Sequence, residues 1–368
     1  MQLPLIAVLL VAGIIVGVVF PGRLTDVFGA ATLYVFLPAL IFEGAWRLET
    51  PMMRRMWRPI ALLAIPGVLC TAGIIAVCIH YLGGVSWVSA LLLGAILSAT
   101  DPVAVLAIFR RLQLPPLLTT IVESEALLND AAAVVVYRAV LASAVAATAA
   151  ALWHVAWDAV LGTVLGIGCG VVIAYLLALV LRRFPSPAAY AVLTMAGGYG
   201  SYFLANRYGW SGIFAVLVFA IALRLIQTRS LSAANAAFVG KFWEGIALVA
   251  NAALFFLIGA ALDLTQLGPA VPIALLTLAA VFLARFAIVY GLLHLARPRL
   301  HIAWMTVVRL AGIRGALSLA LALAVPVAFA DRELIVDATF VVVIVTLLVG
   351  SLTIARRLKS TVYESHPG

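Results

Sequence analysis

The most constraining feature of this chain is a series of long, continuous apolar segments separated by short basic connections. A helix needs about 20 apolar residues to cross a bilayer. Lipid accepts only helices and closed barrels, because no water is present there to satisfy a loose backbone. The apolar runs are continuous rather than alternating, which excludes a barrel. Twelve spans are predicted, at residues 3–20, 28–46, 59–82, 86–109, 117–144, 155–181, 188–206, 210–226, 240–262, 270–294, 302–326 and 335–355. Only 10% of the residues are charged, against roughly 25% in an average soluble domain. So few charges exclude a soluble enzyme, a disordered chain and a fibrous one. The fold class is an all-α polytopic membrane protein, a single membrane unit over residues 1–356. Residues 357–368 are expected to form a short cytoplasmic tail.

The connections fix the orientation. Taken alternately, one side carries sixteen of the 23 Lys and Arg and the other carries Arg23, Arg207 and Arg332. The rest (Arg138, Arg285, Arg309 and Arg314) fall within spans. Such a split follows the positive-inside rule, predicts both termini in the cytoplasm and requires an even number of spans. The net charge of +9 is read as this bias and not as a nucleic-acid surface. Cys70, Cys78 and Cys169 lie in apolar spans and read as small hydrophobes. The first run, Leu3 to Phe20, lacks a basic leader and a small-residue cleavage pattern, so it is expected to be a retained helix.

Ionisable groups within a bilayer are costly and face a cavity or a partner, so they carry the functional information. The acids are Glu43, Asp101, Glu123, Glu125 and Asp130; the central bases are Arg285 and Arg314. The excess of acid favours a cation over an anion. In the fourth span Pro102 follows Asp101. Proline removes a donor and pushes the preceding residue out of helical geometry, so the helix should break at Thr100-Asp101. A plain proline kink with Asp101 as a cap is the bland reading. In the fifth span Glu123, Leu127 and Asp130 share a helical face, and Glu125 stacks on Asn129. A carboxylate held there is stable with a proton or with a hard cation, and the two compete. A structural ion pair is the alternative, and it fits Glu125 better than Asp130. In the eleventh span Gly312 and Gly315 flank Ile313 and Arg314, which predicts a second unwound segment. The alternative there is a glycine packing seam with a snorkelling arginine. Interrupted helices at matching places in two halves point to inverted repeats. Spans 3-4-5 would match 10-11-12, with Asp101 and Arg314 neutralising opposed half-helix ends. Glu43 either borders the ion path or sits at the rim beside Arg47. The string Gly209-Trp210-Ser211-Gly212 is a remote match to an intramembrane serine protease, which would also need a histidine base.

Six segments in order resemble the cation–proton antiporters of the NhaP/NHE type, the sodium–proton exchangers: Leu37 to Gly44, Ala99 to Val103, Glu123 to Asp130, Gly209 to Leu217, Phe242 to Gly259 and Gly312 to Leu321. The resemblance implies an NhaA-like antiporter fold in which two unwound helices cross. It implies a homodimer, with a core domain from spans 3–5 and 10–12 and a dimerisation domain from the remaining spans. Thr100 and Asp101 correspond to the pair at the crossing, and Asn129 and Asp130 to the asparagine–aspartate pair whose aspartate carries ion and proton. The asparagine resembles the electroneutral subfamily. Glu125 and Arg285 correspond to a supporting core ion pair, and Arg314 to the arginine of the second break. Ala126 stands where the family usually has a serine ion ligand, and the extra first helix and long regulatory tail of many members are not expected here.

The expected function is therefore secondary antiport of a monovalent cation, Na⁺ first, for H⁺ across the cell membrane. Na⁺ would be held by Asp130, Asp101 and Thr100. K⁺ or Li⁺ is the alternative substrate, and no cofactor is expected.

Overall fold

The structure, a computed structural model, describes residues 3–20, 25–102, 105–106, 108–109, 112–144, 149–184, 186–227, 232–261, 267–296 and 298–364. Arg23, Val103, Arg110, Arg111, Arg229, Arg297 and His366 lie outside the described residues.

Each predicted span is occupied by a helix or by a broken pair. Helices α1 (Leu3–Val19) and α2 (Thr25–Arg47) fill the first two, and a short α3 (Thr50–Arg55) holds Arg54 and Arg55 of the next connection. The third span was expected to be continuous but is divided into α4 (Trp57–Ala64) and α5 (Pro66–Gly83). Pro66 has no N–H to continue the ladder; Ile65 ahead of it still donates to the Ala61 carbonyl at 3.1 Å. The fourth span begins as α6 (Trp87–Ser98), capped by the Ser86 hydroxyl on the Ser89 N–H at 3.2 Å. After an irregular stretch the chain is helical again at Val105, Leu106, Ile108 and Phe109. Then follow α7 (Pro116–Ser143), α8 (Ala149–Arg183), α9 (Pro187–Arg207), α10 (Gly212–Ile226), α11 (Ala233–Ala261) and α12 (Leu267–Leu295). The eleventh span is also broken, into α13 (Ile302–Leu310) and α14 (Ala316–Leu323), and α15 (Arg332–Glu364) ends the fold.

Two boundaries differ from expectation. Helix α11 begins at Ala233, so Lys241 lies on a helix and not in a connection. Helix α15 takes in residues 357–364, which had been expected to be tail. Both extensions are rich in helix-forming residues, and hydropathy marks where a span is apolar, not where its helix stops. Among the described residues, six helical stretches are long and apolar enough to cross a membrane. Their outer faces match that solvent: Val160, Val164, Val172 and Leu176 of α8 are all exposed.

The contacts divide the chain into two compact units. The first comprises Met1–Ala30, Pro51–Ala144 and Phe255–Gly368. Within it α5 packs on α6 and α12, α6 on α7, and α15 on α12 and α14. The α5–α6 seam is backbone on backbone, since a Cβ on Gly94 would lie 3.0 Å from the Ala72 Cα. Both broken helices belong to this unit.

The second unit comprises Ala31–Thr50 and Val145–Leu254. There α8, α9 and α10 pack together. The indole of Trp243 stacks on Phe42 at 4.1 Å and donates to Thr194 Oγ1 at 3.0 Å. Arg224 Nη1 donates to the carbonyls of Trp46 and Leu48, groups that the end of α2 leaves without helical partners.

Candidate functional site

In the first unit the two breaks meet. The backbone is already extended at Ala99, with φ −60° and ψ 141°, so the helix ends one residue ahead of the break expected from Pro102 at Thr100-Asp101. The freed Asp101 N–H donates to the carbonyl of Ile313 in the other break at 2.7 Å. Two interrupted helices are thus joined by a main-chain hydrogen bond between residues far apart in sequence.

Gly315 precedes the first turn of α14. A Cβ there would collide with the carboxylate and Cβ of Asp101. Only glycine permits this approach, which sets an acid against the positive end of α14. Arg314 sits at the other side of the break, 1% exposed, with Nη1 3.5 Å from the Gly312 carbonyl, close to the carbonyl end of α13. Its own N–H donates to Thr346 Oγ1 at 3.3 Å.

Helix α7 brings the remaining groups. Asp130 Oδ1 accepts the Thr100 N–H at 3.2 Å. Asn129 Nδ2 donates to Thr100 Oγ1 and to Glu125 Oε1, both at 3.3 Å. Glu125 is 1% exposed and accepts a bidentate pair from Arg285, Nη1 at 2.7 Å and Nη2 at 3.1 Å. Arg285 Nη2 also donates to the Val308 carbonyl at 2.8 Å. The bidentate fork is the strongest geometry that an arginine and a carboxylate can adopt. It ties α7 to α12, and the carbonyl ties α12 to α13.

Electrostatically, Asp101 and Glu125 repel Asp130 while Arg314 attracts it. Thr100, Asn129, Glu125 and Arg314 are buried, but Asp101 and Asp130 are only partly so. The two aspartates therefore keep accessible surface inside a buried surround. Asn129 Oδ1 and Ser318 Oγ have no hydrogen-bond partner there. Ala126 is buried and contributes no oxygen, and the Ser124 hydroxyl is buried without a hydrogen bond.

Thr100, Asp101, Glu125, Asn129, Asp130, Arg285 and Arg314 all belong to this one constellation. Glu43 does not; it lies in the second unit, paired with Arg47 one turn along α2. Ser211 is also in the second unit. It precedes the first turn of α10 and donates its N–H to the Gly162 carbonyl at 2.9 Å, where α8 and α10 touch. His80 is engaged elsewhere, with the Val85 carbonyl and the Trp87 ring, and His301 accepts from the first turn of α13.

One buried acid among the described residues escaped sequence reasoning. Asp337 lies on α15 and is 8% exposed. It stands just inside the predicted boundary of the last span and reads as a connection residue. Its position inside the stretch 335–355 was the available signal. Thr346, which receives the Arg314 N–H, gives no sequence signal at all.

Two broken helices crossing beside partly buried carboxylates, within an all-helical membrane bundle, are the arrangement that inverted-repeat secondary transporters use for their ion sites. The family can be stated as well. Residues 1–360 match the family described as the sodium/hydrogen exchanger, transmembrane, and the chain belongs to it. It is 36% identical over 329 residues to the low-affinity Na⁺/H⁺ antiporter NhaS1 of Synechocystis, covering 87% of this chain and 62% of that protein. It is 34% identical over 358 residues to the Na⁺/H⁺ antiporter ApNhaP of Aphanothece halophytica, covering 96% of this chain and 68% of that protein. The chain thus spans roughly two thirds of the length of these relatives. The fold is similar to that of the sodium proton antiporter MjNhaP1 of Methanocaldococcus jannaschii, with a TM-score of 0.78 at 20% identity over 96% of this chain and 92% of that one.

Proposed function

We propose that the chain exchanges Na⁺ for H⁺ across the cell membrane by alternating access, one ion for one proton. The observation that carries this function is the meeting of Asp130, Asp101 and Thr100 at a double helix break. Hard cations take oxygen ligands, and this place offers two carboxylates, a hydroxyl and main-chain carbonyls freed by unwinding. The names of these two relatives support the same exchange.

Deprotonated Asp130 and Asp101 hold Na⁺, with Thr100 Oγ1, carbonyls and water completing the shell. A proton on Asp130 removes the charge that holds the ion, and Na⁺ leaves. A bare carboxylate pair is costly in an apolar gate, so the site crosses only when filled or protonated. That prohibition couples the two fluxes. Asn129, where electrogenic relatives by resemblance have a second acid, leaves one proton to exchange for one Na⁺. Glu125 and Arg285 neutralise each other and hold the helices in register without carrying ions. The gradients drive the cycle, and neither a cofactor nor enzymatic chemistry takes part. Spans 3–5 and 10–12 are the moving transport body and the remaining spans the dimerisation body, with both termini cytoplasmic by the positive-inside bias.

The test is internal pH in proteoliposomes after adding Na⁺, Li⁺, K⁺ or choline, for the wild type and Asp130→Asn. The asparagine still accepts the Thr100 N–H, so the fold should persist. Valinomycin and K⁺ clamp the voltage in the Na⁺ and Li⁺ runs. Na⁺-dependent recovery that ignores voltage and vanishes in the variant is the expected result. Recovery with K⁺ alone, under a different clamp, would change the substrate. Flux that persists without exchange would indicate a channel, and an active Asp130→Asn protein would sink the site. Ser211→Ala should transport normally.

A further inference from the structure

We infer that the first unit carries a second ligand site, apart from the carboxylate crossing, that takes the phosphate of an anionic lipid headgroup. A cavity of about 70 Å³ lies among α12, α13 and α15. One water needs only about 10–15 Å³ measured this way, so a tetrahedral oxyanion has room. Arg285, Arg309, Thr346, Thr353, Phe282 and Val349 are among its walls.

The charge balance of these walls selects an anion. Arg285 is neutralised by Glu125 through both Nη atoms, yet its Nε is buried with no hydrogen-bond partner. Arg309 Nε is likewise buried and unpartnered, and Arg309 forms no ion pair among the described residues. An arginine left without a counter-charge at membrane depth is costly, and a phosphate oxygen is the natural partner of its planar fork. Thr346 and Thr353 already donate to the carbonyls of Val343 and Val349. The Arg309 guanidinium is therefore the donor, since the Arg285 Nε is enclosed and both Arg285 Nη atoms are already engaged.

The surroundings favour a lipid over a free ion. Phe282 and Val349, beside the arginines, are 52% and 51% exposed on the outer surface. They offer an apolar wall to an acyl chain next to a cationic seat for its headgroup. Arg309 stands on the last turn of α13, and helical side chains lean toward the N-terminal end. In the orientation proposed above that end is cytoplasmic, so the ligand comes from the inner leaflet, where anionic lipid supplements the basic connections.

The experiment uses the full chain in neutral detergent, titrated with phosphatidylglycerol, phosphatidylcholine or inorganic phosphate. Thermal stabilisation and native mass spectrometry are read together. Phosphatidylglycerol should stabilise the wild type and be retained at a defined stoichiometry, while phosphatidylcholine and inorganic phosphate should do neither. Arg309→Gln should weaken phosphatidylglycerol by about tenfold or more, the worth of one hydrogen bond to a charged group. Arg309→Gln should keep the wild-type elution volume and the wild-type thermal stability in the absence of lipid, which guards against a folding defect in the variant. Equal binding of the two lipids, or undiminished phosphatidylglycerol binding in Arg309→Gln, would overturn the site. Arg309-dependent binding of inorganic phosphate without lipid binding would overturn the lipid and leave a soluble anion.

Discussion

The Glu125–Arg285 pair permits the sharpest quantitative prediction. It is bidentate, at 2.7 and 3.1 Å, and its members are 1% and 7% exposed. Breaking such a pair by removing one partner costs about 3–5 kcal/mol, while replacing both by apolar groups is often neutral. Glu125→Leu strands a guanidinium that keeps only the Val308 carbonyl, so the penalty of about 3–5 kcal/mol applies. Arg285→Met strands a carboxylate that keeps the Asn129 amide and should cost a comparable amount. The double change should lie well below the sum, with a coupling of at least about 2 kcal/mol. The assay is equilibrium unfolding in mixed micelles containing SDS, run as a double-mutant cycle. Additivity within about 0.5 kcal/mol would refute the reasoning, because two uncoupled residues cannot be holding each other's charge.

Other outcomes follow from close contacts. Gly315→Ala places a methyl where the Asp101 carboxylate lies, so exchange in proteoliposomes should be lost; wild-type flux would refute the crossing geometry. Arg224→Met removes the bonds to the Trp46 and Leu48 carbonyls and should cost about 1.5–3 kcal/mol in the same unfolding assay; a loss below about 0.5 kcal/mol would show these carbonyls to be satisfied otherwise. Ala126→Ser adds a hydroxyl at the position where the family usually has a ligand. It should lower the Na⁺ concentration for half-maximal flux, and an unchanged value would place residue 126 outside the ion's shell.

Much of this protein was legible in its sequence, because the signals concerned are local. Hydropathy over a span marks membrane helices whatever surrounds them, so all twelve predicted spans carry helices. Pro102 and the glycines at 312 and 315 act on their own backbone, which is why both breaks could be placed before any contact was known. A cation-binding balance also followed from counting acids against bases along the spans.

Other features depended on partners far away in the chain. The bond between Asp101 and Ile313, the resting place of the Asp101 carboxylate on Gly315 and the Thr346 hydroxyl under Arg314 need two halves of the chain packed together. Residue patterns alone named no arginine for Glu125; resemblance favoured Arg285, and packing joined the two. Asp337 was missed because a residue at a span's edge looks wet until neighbouring helices cover it. The Arg309 cavity has no sequence signature, since an empty volume is a property of three helices and of none singly. Sequence determined the solvent, the number of crossings and the places where the backbone comes undone. Tertiary structure decided which freed groups meet, because each meeting joins elements that no local pattern relates.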